Sequence, residues 1–409
     1  MLDLPAARKT LLDVAERFGT PTYVYAEAVV RRQAARLRAL FDGLPARLLY
    51  AMKANSAPAL LAILRDEGLG VDAVSPGELA LALRLGFAPE CVLFSANMIT
   101  DAEMHAAHAA GVLVNVGEVS RLERFGRAFP GADVCVRLNP GGGAGHHAHV
   151  VTAGATTKFG VSVDEIPAAL AVARRHGLRV VGVHQHIGSG ILDAGSFAAS
   201  TEAMLAQAAA FPDARFFNFG GGLGIPYHPD EAEIDVAAFR ARVVAPLERF
   251  VAARPGVELY FEPGRYLVAQ AGALLARVTT LKTNAGRTFA GTDTGMNHLV
   301  RPTVYGAYHG VANLSDPDGP PRTYTVTGNV CETGDVLAPD RLVPELREGD
   351  VVAFLDAGAY GMSMASTYNL RPLPAEVLIG ANGEARILRE RQTPDALVDA
   401  LLGEHAPTA

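Results

Sequence analysis

Eight short runs rich in Val, Leu and Phe recur through the first two thirds of the chain, each separated from the next by a helix-like stretch. They are RLLYAM, GVDAVS, CVLFS, VLVNV, DVCVRL, VVGVHQH, ARFFNFG and VELYFE. Such runs suit strands buried on both faces, the condition of parallel strands covered by helices. SAPALLAILRDEG follows the first run and SPGELALALRLG the second. Eight βα units in series predict an α/β chain built on a (β/α)8 barrel, which takes about 250 residues. A doubly wound open sheet is the alternative, and the count of eight favours the barrel.

The residues that end these runs constrain the chain further. They are Lys53, Asp72, Ser95, Asn115, Arg137, His186, the glycines at 220 to 222, and Glu262. In a barrel the C-terminal strand ends converge on one mouth, where active sites are built. Polar or glycine endings on all eight are hard to explain by packing alone.

After residue 273 the pattern changes to ALLARVTTLKT, RTYTVTGNV, DVVAFLDAGAY, AEVLIG and EARILRER, which read as antiparallel strands joined by turns. We therefore expect a barrel over 28–273 and a β-rich domain over 1–27 and 274–409, with PTYVYA near the N-terminus joining its sheet. DPDGPP at 316–321 is a turn or surface loop.

Composition narrows the function classes. Nearly half of the 409 residues are apolar, enough for a large core. The net charge of −7, without basic runs, gives little support to binding of nucleic acid or anionic membranes. The N-terminal MLDLPAARKTLLDVAERFG reads as an amphipathic helix, not a signal peptide, and no stretch approaches the roughly 18 to 20 apolar residues of a membrane span. Cys91, Cys135 and Cys331 are far apart and form no CxxC pair. The expectation is a soluble, cytoplasmic enzyme without a structural metal.

Several segments could carry chemistry. Lys53 ends an apolar run in YAMKAN. Burial disfavours a lysine's charged form, which frees the amine for Schiff-base chemistry, although a snorkelling lysine is the bland reading. NFGGGLGIPY places Gly220, Gly221, Gly222 and Gly224 after the seventh strand, where barrels often bind phosphate. FEPGR brings Glu262, Pro263, Gly264 and Arg265 to the same mouth after the eighth. A carboxylate there favours a protonated ring nitrogen, and an isolated Glu–Arg ion pair is the plain alternative. HQHIGSG offers His184 and His186 at strand spacing, with Ser189 beyond. One of the two could stack on a flat aromatic cofactor; a satisfied core histidine is the plain alternative for either, and the preferred one for His184. His146, His147 and His149 form an HHxH cluster with no companion carboxylate or cysteine at ligand spacing, so a lid is preferred to a metal site. The later segments hold Arg301 and Tyr305 in HLVRPTVYGAY, Cys331 and Glu332 in NVCETGD, and Tyr360 in DAGAYGMSMASTYNLRP.

In their order, YAMKAN, GVDAVSPGE, VRLNPG, TKFG, HQHIGSG, GGGLGIPY, FEPGR, RPTVYGAYH, CETGD and GAYGMSMASTYNLRP cover nearly the whole chain. As a set this resembles the fold-type III, alanine-racemase-like decarboxylases of the ornithine–diaminopimelate–arginine group, and most closely the diaminopimelate decarboxylases. Two departures are mild. Thr333 stands where a serine is common, and STYN closes the Tyr360 motif in place of SNYN.

The resemblance implies pyridoxal 5'-phosphate as cofactor, decarboxylation of meso-2,6-diaminopimelate to L-lysine, and a head-to-tail homodimer with shared active sites. It implies that Lys53 carries the cofactor as a Schiff base, that His186 stacks on its ring, and that Glu262 pairs with the ring nitrogen. Asp72, Ser189, Gly221, Gly222, Pro263, Gly264, Arg265 and Tyr360 would surround the cofactor or its phosphate. Arg265, Arg301, Tyr305 and Tyr360 would bind substrate, Glu332 would meet its distal ammonium, and Cys331 from the partner would protonate the carbanion. Decarboxylases of ornithine, lysine, arginine or carboxynorspermidine are rivals, but relatives acting on simple diamines carry aspartate where Glu332 stands. A racemase of this fold needs an acid–base tyrosine and has no use for Cys331. A non-catalytic pyridoxal-phosphate carrier would resemble the barrel alone.

Overall fold

The computed structural model describes residues 3–141, 154 and 157–403. The chain forms two compact units, one of residues 31–226 and 232–266, the other of residues 1–30, 227–231 and 267–409. The strand β1 (Thr22–Ala26) belongs to the second unit.

The first unit is a closed parallel barrel. Its strands are β2 (Ala46–Ala51), β3 (Gly70–Ala73), β4 (Val92–Phe94), β5 (Leu113–Val116) and β6 (Asp133–Asn139), with a two-residue β7 (Val161–Ser162) added beside β6. They continue with β8 (Arg179–His184), β9 (Phe216–Asn218) and β10 (Glu258–Phe261). Parallel pairing runs from β2 through β3, β4, β5, β6, β8 and β9 to β10, and β10 pairs back with β2, closing eight strands. The expected (β/α)8 barrel is therefore present.

Local chemistry sets the element ends. The helix Pro76–Arg84 starts from Ser75, whose hydroxyl accepts the Glu78 N–H, and Asp101–Ala109 starts from a reciprocal capping box between Thr100 and Glu103. The barrel interior is filled by Leu49, Leu93, Cys135, Val181 and Phe216, with Leu113 and Tyr260 packed against them. Phe216 and Tyr260 stack at 4.2 Å. Gly182 is required beneath them, because a Cβ there would lie 2.0 Å from the Phe216 ring.

Several strands stop short of the sequence reading, among them those that lead to Lys53 and His186. RLLYAM was expected to be strand through Met52, but β2 stops at Ala51 and Lys53 sits in a single 3-10 turn, Met52–Ala54. VVGVHQH was expected to run through His186, but β8 stops at His184. Its neighbour β9 ends at Asn218 and turns at Gly220, where φ is +69°, so the ladder loses its partner.

The second unit is one mixed sheet. It is built from β1, β11 (Gly272–Asn284), β12 (Arg287–Thr292), β13 (Val311–Asn313), β14 (Pro321–Thr327), β15 (Val336–Pro344), β16 (Val351–Phe354), β17 (Ala375–Ile379) and β18 (Ala385–Arg389). PTYVYA does join it, with β1 antiparallel to β11 and parallel to β17; β12 and β14 are also parallel, so the sheet is not antiparallel throughout as expected. Leu274, Leu275, Val352, Phe354 and Val377 form part of its buried core.

Candidate active site

The barrel mouth gathers most of the residues singled out from the sequence. Lys53 follows β2, and its Nζ lies 3.5 Å from Oδ2 of Asp72 at the end of β3. The turn is held by Tyr50, whose hydroxyl donates to the Asn55 carbonyl at 2.8 Å, while Asn55 Oδ1 accepts the Ala57 N–H. Asp72 is buried, and neither of its oxygens has a hydrogen-bond partner within the protein. Burial and the charge of Glu262 raise its pKa, against the charges of Lys53 and His184.

Glu262 lies just beyond β10 and is held from two sides. His184 Nε2 lies 3.0 Å from Oε2, and Asn218 Nδ2 donates to Oε1 at 2.7 Å. The carboxylate oxygens accept, so Nε2 carries the proton of that contact. Burial opposes ionisation of Glu262, but the charge and hydrogen bond of His184, with the charge of Lys53, outweigh it and lower the pKa. Asn218 also accepts the Gly220 N–H through Oδ1, and Gly220 O accepts the Glu262 N–H, so the glycine turn and the carboxylate are fixed together.

His186 lies past the end of β8, yet its Nδ1 accepts the Gly221 N–H at 3.1 Å. Burial, then the charges of Lys53 and Arg137, lower its pKa well below that of an ordinary histidine, which keeps the ring neutral. The glycine turn has no room for side chains. A Cβ at Gly221 would lie 2.2 Å from the Glu262 carbonyl oxygen, and one at Gly220 2.4 Å from that of Gln185. Arg265 is buried and donates to Ser189 Oγ from Nη2 at 3.0 Å, while the Pro263 carbonyl accepts the Ala51 N–H at 3.2 Å and Gly264 lies against Ala51 and Ala54. A hydroxyl and a buried guanidinium beside the glycine turn form a group that could hold an anion. Ser95 Oγ and Asn115 Oδ1, at the ends of β4 and β5, are buried without hydrogen-bond partners in the protein.

The sheet unit holds the other five. Arg301 opens the short helix Arg301–Tyr305 and is fully buried, with Tyr305 half-buried at the far end. Cys331 and Glu332 are exposed, the Cys331 N–H donating to Asn369 Oδ1 at 2.8 Å. Tyr360 is half-buried and left-handed, with φ at +57°. His146, His147 and His149 lie outside the described residues. Among the described residues no group of three or more His, Cys, Asp or Glu side chains could hold a metal ion, and no helix is long and apolar enough to cross a membrane.

Two functional side chains escaped the sequence reading. His184, read as a core histidine, orients Glu262, and Asn218 does so from the next strand. The signal was present: both are polar residues at the last position of a strand, as Asp72 nearly is.

The residues 27–269 match the family of the pyridoxal-dependent decarboxylase, pyridoxal binding domain. Over its length the chain is 43% identical to a diaminopimelate decarboxylase of Methanothermobacter thermautotrophicus, covering 97% of this chain and 94% of that protein. A crystal structure of a diaminopimelate decarboxylase superposes with a TM-score of 0.90 at 37% identity, covering 97% of both chains. The Helicobacter pylori diaminopimelate decarboxylase complexed with L-lysine superposes at 0.87 with 30% identity, covering 96% of this chain and 99% of that one.

Proposed function

The chain belongs to the pyridoxal-dependent decarboxylases, in the diaminopimelate decarboxylase branch, and from that premise we propose that it converts meso-2,6-diaminopimelate to L-lysine and CO₂ with pyridoxal phosphate at the barrel mouth. Because the product is L-lysine, the centre of D configuration loses its carboxylate and the L centre is the distal, recognised group.

The observation that carries this reading is Glu262, a buried carboxylate kept ionised by His184 and Asn218 beside the Lys53–Asp72 pair. The mouth fits pyridoxal phosphate on other grounds too. Asn115 Oδ1 is a buried polar atom without a hydrogen-bond partner in the protein, and the glycine turn excludes any Cβ. Lys53 would hold the cofactor covalently through Nζ. Glu262 would pair with the ring nitrogen and raise its proton affinity, by about one to three pKa units for an adjacent opposite charge. Neutral His186 would lie against the ring face. Ser189, Gly221, Gly222, Arg265 and Tyr360 would take the phosphate, with Asp72, Pro263 and Gly264 shaping the pocket. When bound, the protonated ring accepts the electron pair released as CO₂ leaves.

The remaining residues bind substrate and move a proton. Arg301 and Tyr305 would take the distal carboxylate, with Arg265 and Tyr360 contributing, and Glu332 the distal ammonium. Cys331 would hold a proton at Sγ and deliver it to the α carbon. Its exposure, with that of Glu332, supports a homodimer in which these two residues complete a partner's site. The same reading makes the protein a soluble, cytoplasmic enzyme. The test is CO₂ release from purified protein with pyridoxal phosphate and each candidate amino acid. Turnover of meso-diaminopimelate and not of ornithine, lysine or arginine is expected. Comparable turnover of ornithine overturns the assignment.

A further inference from the structure

Arg301 has a fixed neighbour that the proposed chemistry does not use. Its Nη1 lies 2.8 Å from Nε2 of His309, and Nδ1 of His309 lies 2.7 Å from the carbonyl oxygen of Leu355. His309 is completely buried and Arg301 nearly so. All three belong to the sheet unit, Leu355 directly after β16, and the Leu355 N–H bonds back to the Gly310 carbonyl at 2.8 Å.

The chemistry of the partners leaves one tautomer. A guanidinium has only donors, so Nε2 must offer its lone pair to Arg301. A carbonyl only accepts, so Nδ1 must carry the hydrogen. The two contacts ask for the same neutral imidazole, with Nδ1–H toward Leu355. Tyr227 closes a second side, with Cζ of Arg301 4.5 Å from its ring centroid and its ring 5.5 Å from that of His309 at 76°. An arginine side chain has many rotamers, and its planar fork recognises a carboxylate only when the plane is set. A fixed Nη1 and a fixed ring contact set the plane of the whole rigid group.

We infer that His309 is a positioning residue for specificity: the Leu355 carbonyl selects its Nδ1–H tautomer, and that tautomer aims Arg301 at the distal carboxylate of the substrate. The inference rests on the reading of Arg301 as the carboxylate receptor. His309 itself touches neither substrate nor cofactor in this scheme, so its loss acts on binding of one group and not on the bond that breaks.

Two amides separate the two nitrogens. The amide of asparagine reaches the Nδ1 position and can donate to Leu355, but cannot reach Arg301; that of glutamine reaches the Nε2 position and can accept from Arg301. His309→Asn is expected to raise KM for meso-diaminopimelate by about tenfold or more, the scale of losing an outer partner of a binding group, with kcat reduced less than threefold. His309→Gln is expected to recover most of that loss. Competitive inhibition by L-lysine, which keeps the distal carboxylate, should weaken with KM in His309→Asn. Inhibition by 1,5-diaminopentane, which has no carboxylate, should not. A role in packing alone would weaken both inhibitors together and make the glutamine variant no better than the asparagine one, and either result overturns the inference. Arg301→Ala run in parallel separates the two readings. If it raises KM while His309→Asn does not, only the role of His309 falls. If Arg301→Ala leaves KM unchanged, the receptor reading falls and the inference with it. Should His309→Asn fail to fold, the wild type still decides: ¹⁵N shifts of labelled histidines, assigned with His309→Gln, must show His309 protonated at Nδ1, and protonation at Nε2 overturns the proposal.

Discussion

Nε2 of His184 lies 3.0 Å from Oε2 of Glu262, with both side chains buried at the ends of β8 and β10, the strands on either side of β9. A buried carboxylate left alone would take up a proton. With His184 and Asn218 as donors and Lys53 nearby, Glu262 keeps its charge, and a charge there is what a pyridinium nitrogen needs.

The first prediction follows from that charge. Glu262→Gln keeps the shape and the Asn218 contact but removes the negative charge. It is expected to lower kcat by about 10- to 10³-fold, the equivalent of about one to three pKa units at the ring nitrogen. His184→Gln leaves the charge in place and loosens its aim, so a smaller loss, about tenfold, is expected. Steady-state kinetics on meso-diaminopimelate check both. A Glu262→Gln enzyme within twofold of wild type contradicts the role assigned to Glu262.

The second prediction concerns attachment. The chain has four lysines, Lys9, Lys53, Lys158 and Lys282. Lys53 Nζ sits 3.5 Å from Asp72 at the mouth. Protein loaded with pyridoxal phosphate should absorb visible light, and borohydride should bleach that absorbance and leave the label on the Lys53 peptide. Label on Lys158 or Lys282 instead is incompatible with the proposed site.

These two sites show what the sequence made legible. Lys53, Glu262 and the glycine turn stood out because each interrupts or ends an apolar run, which is costly without a purpose. The eight strands were legible from alternation with helices. Strand ends were less so: where β9 turns away at Gly220, β8 loses its ladder, and no local propensity in VVGVHQH records that. The roles of His184 and Asn218 were hidden for a related reason. A polar residue's role depends on which side chain faces it across the barrel, and Glu262 is 78 positions from His184 and 44 from Asn218. The Arg301–His309 contact spans only eight positions, yet its meaning needs the Leu355 carbonyl, 46 positions on.

A third prediction concerns stability against pH. His298 is buried in the sheet unit, with Nδ1 3.0 Å from Thr294 Oγ1 and Nε2 3.1 Å from the Pro372 carbonyl. Burial, with the charges of Arg391 and Arg371, pushes its pKa down to about 4, against the Pro372 hydrogen bond, which favours the charged form. The unfolded chain binds the proton at the ordinary pKa of about 6.5, so between those values it holds more protons than the folded one. Stability therefore falls as pH drops through about 6.5 toward 4, by at most about 3 kcal/mol from this residue. Urea titrations across that range should show His298→Gln with a flatter pH dependence than wild type, whatever its stability at pH 7. An unchanged slope sinks the assignment to His298.

The last prediction tests whether the site is shared between subunits. Lys53 belongs to the barrel unit, and Cys331 and Glu332 are exposed on the sheet unit. In the proposed homodimer each mouth takes Lys53 from one subunit and Cys331 with Glu332 from the other. Lys53→Ala removes the attachment point and Cys331→Ala the proton donor, so each homodimer is expected to be nearly inactive. Mixing the two under conditions that exchange subunits creates heterodimers. In each heterodimer one site then carries both lesions and the other carries neither. A two-fold dimer has two equivalent sites, so random pairing makes about half of the dimers mixed, each with one intact site, and activity should return to roughly a quarter of wild type. Exchange is verified independently with two affinity tags, so that a silent mixture is informative. If tagged heterodimers form and activity does not return, each chain must complete its site alone. Cys331 would then have to protonate within its own subunit or give up that role, whereas recovery near a quarter requires the donor to cross between subunits, because no other arrangement rescues two chains that are each inactive by themselves.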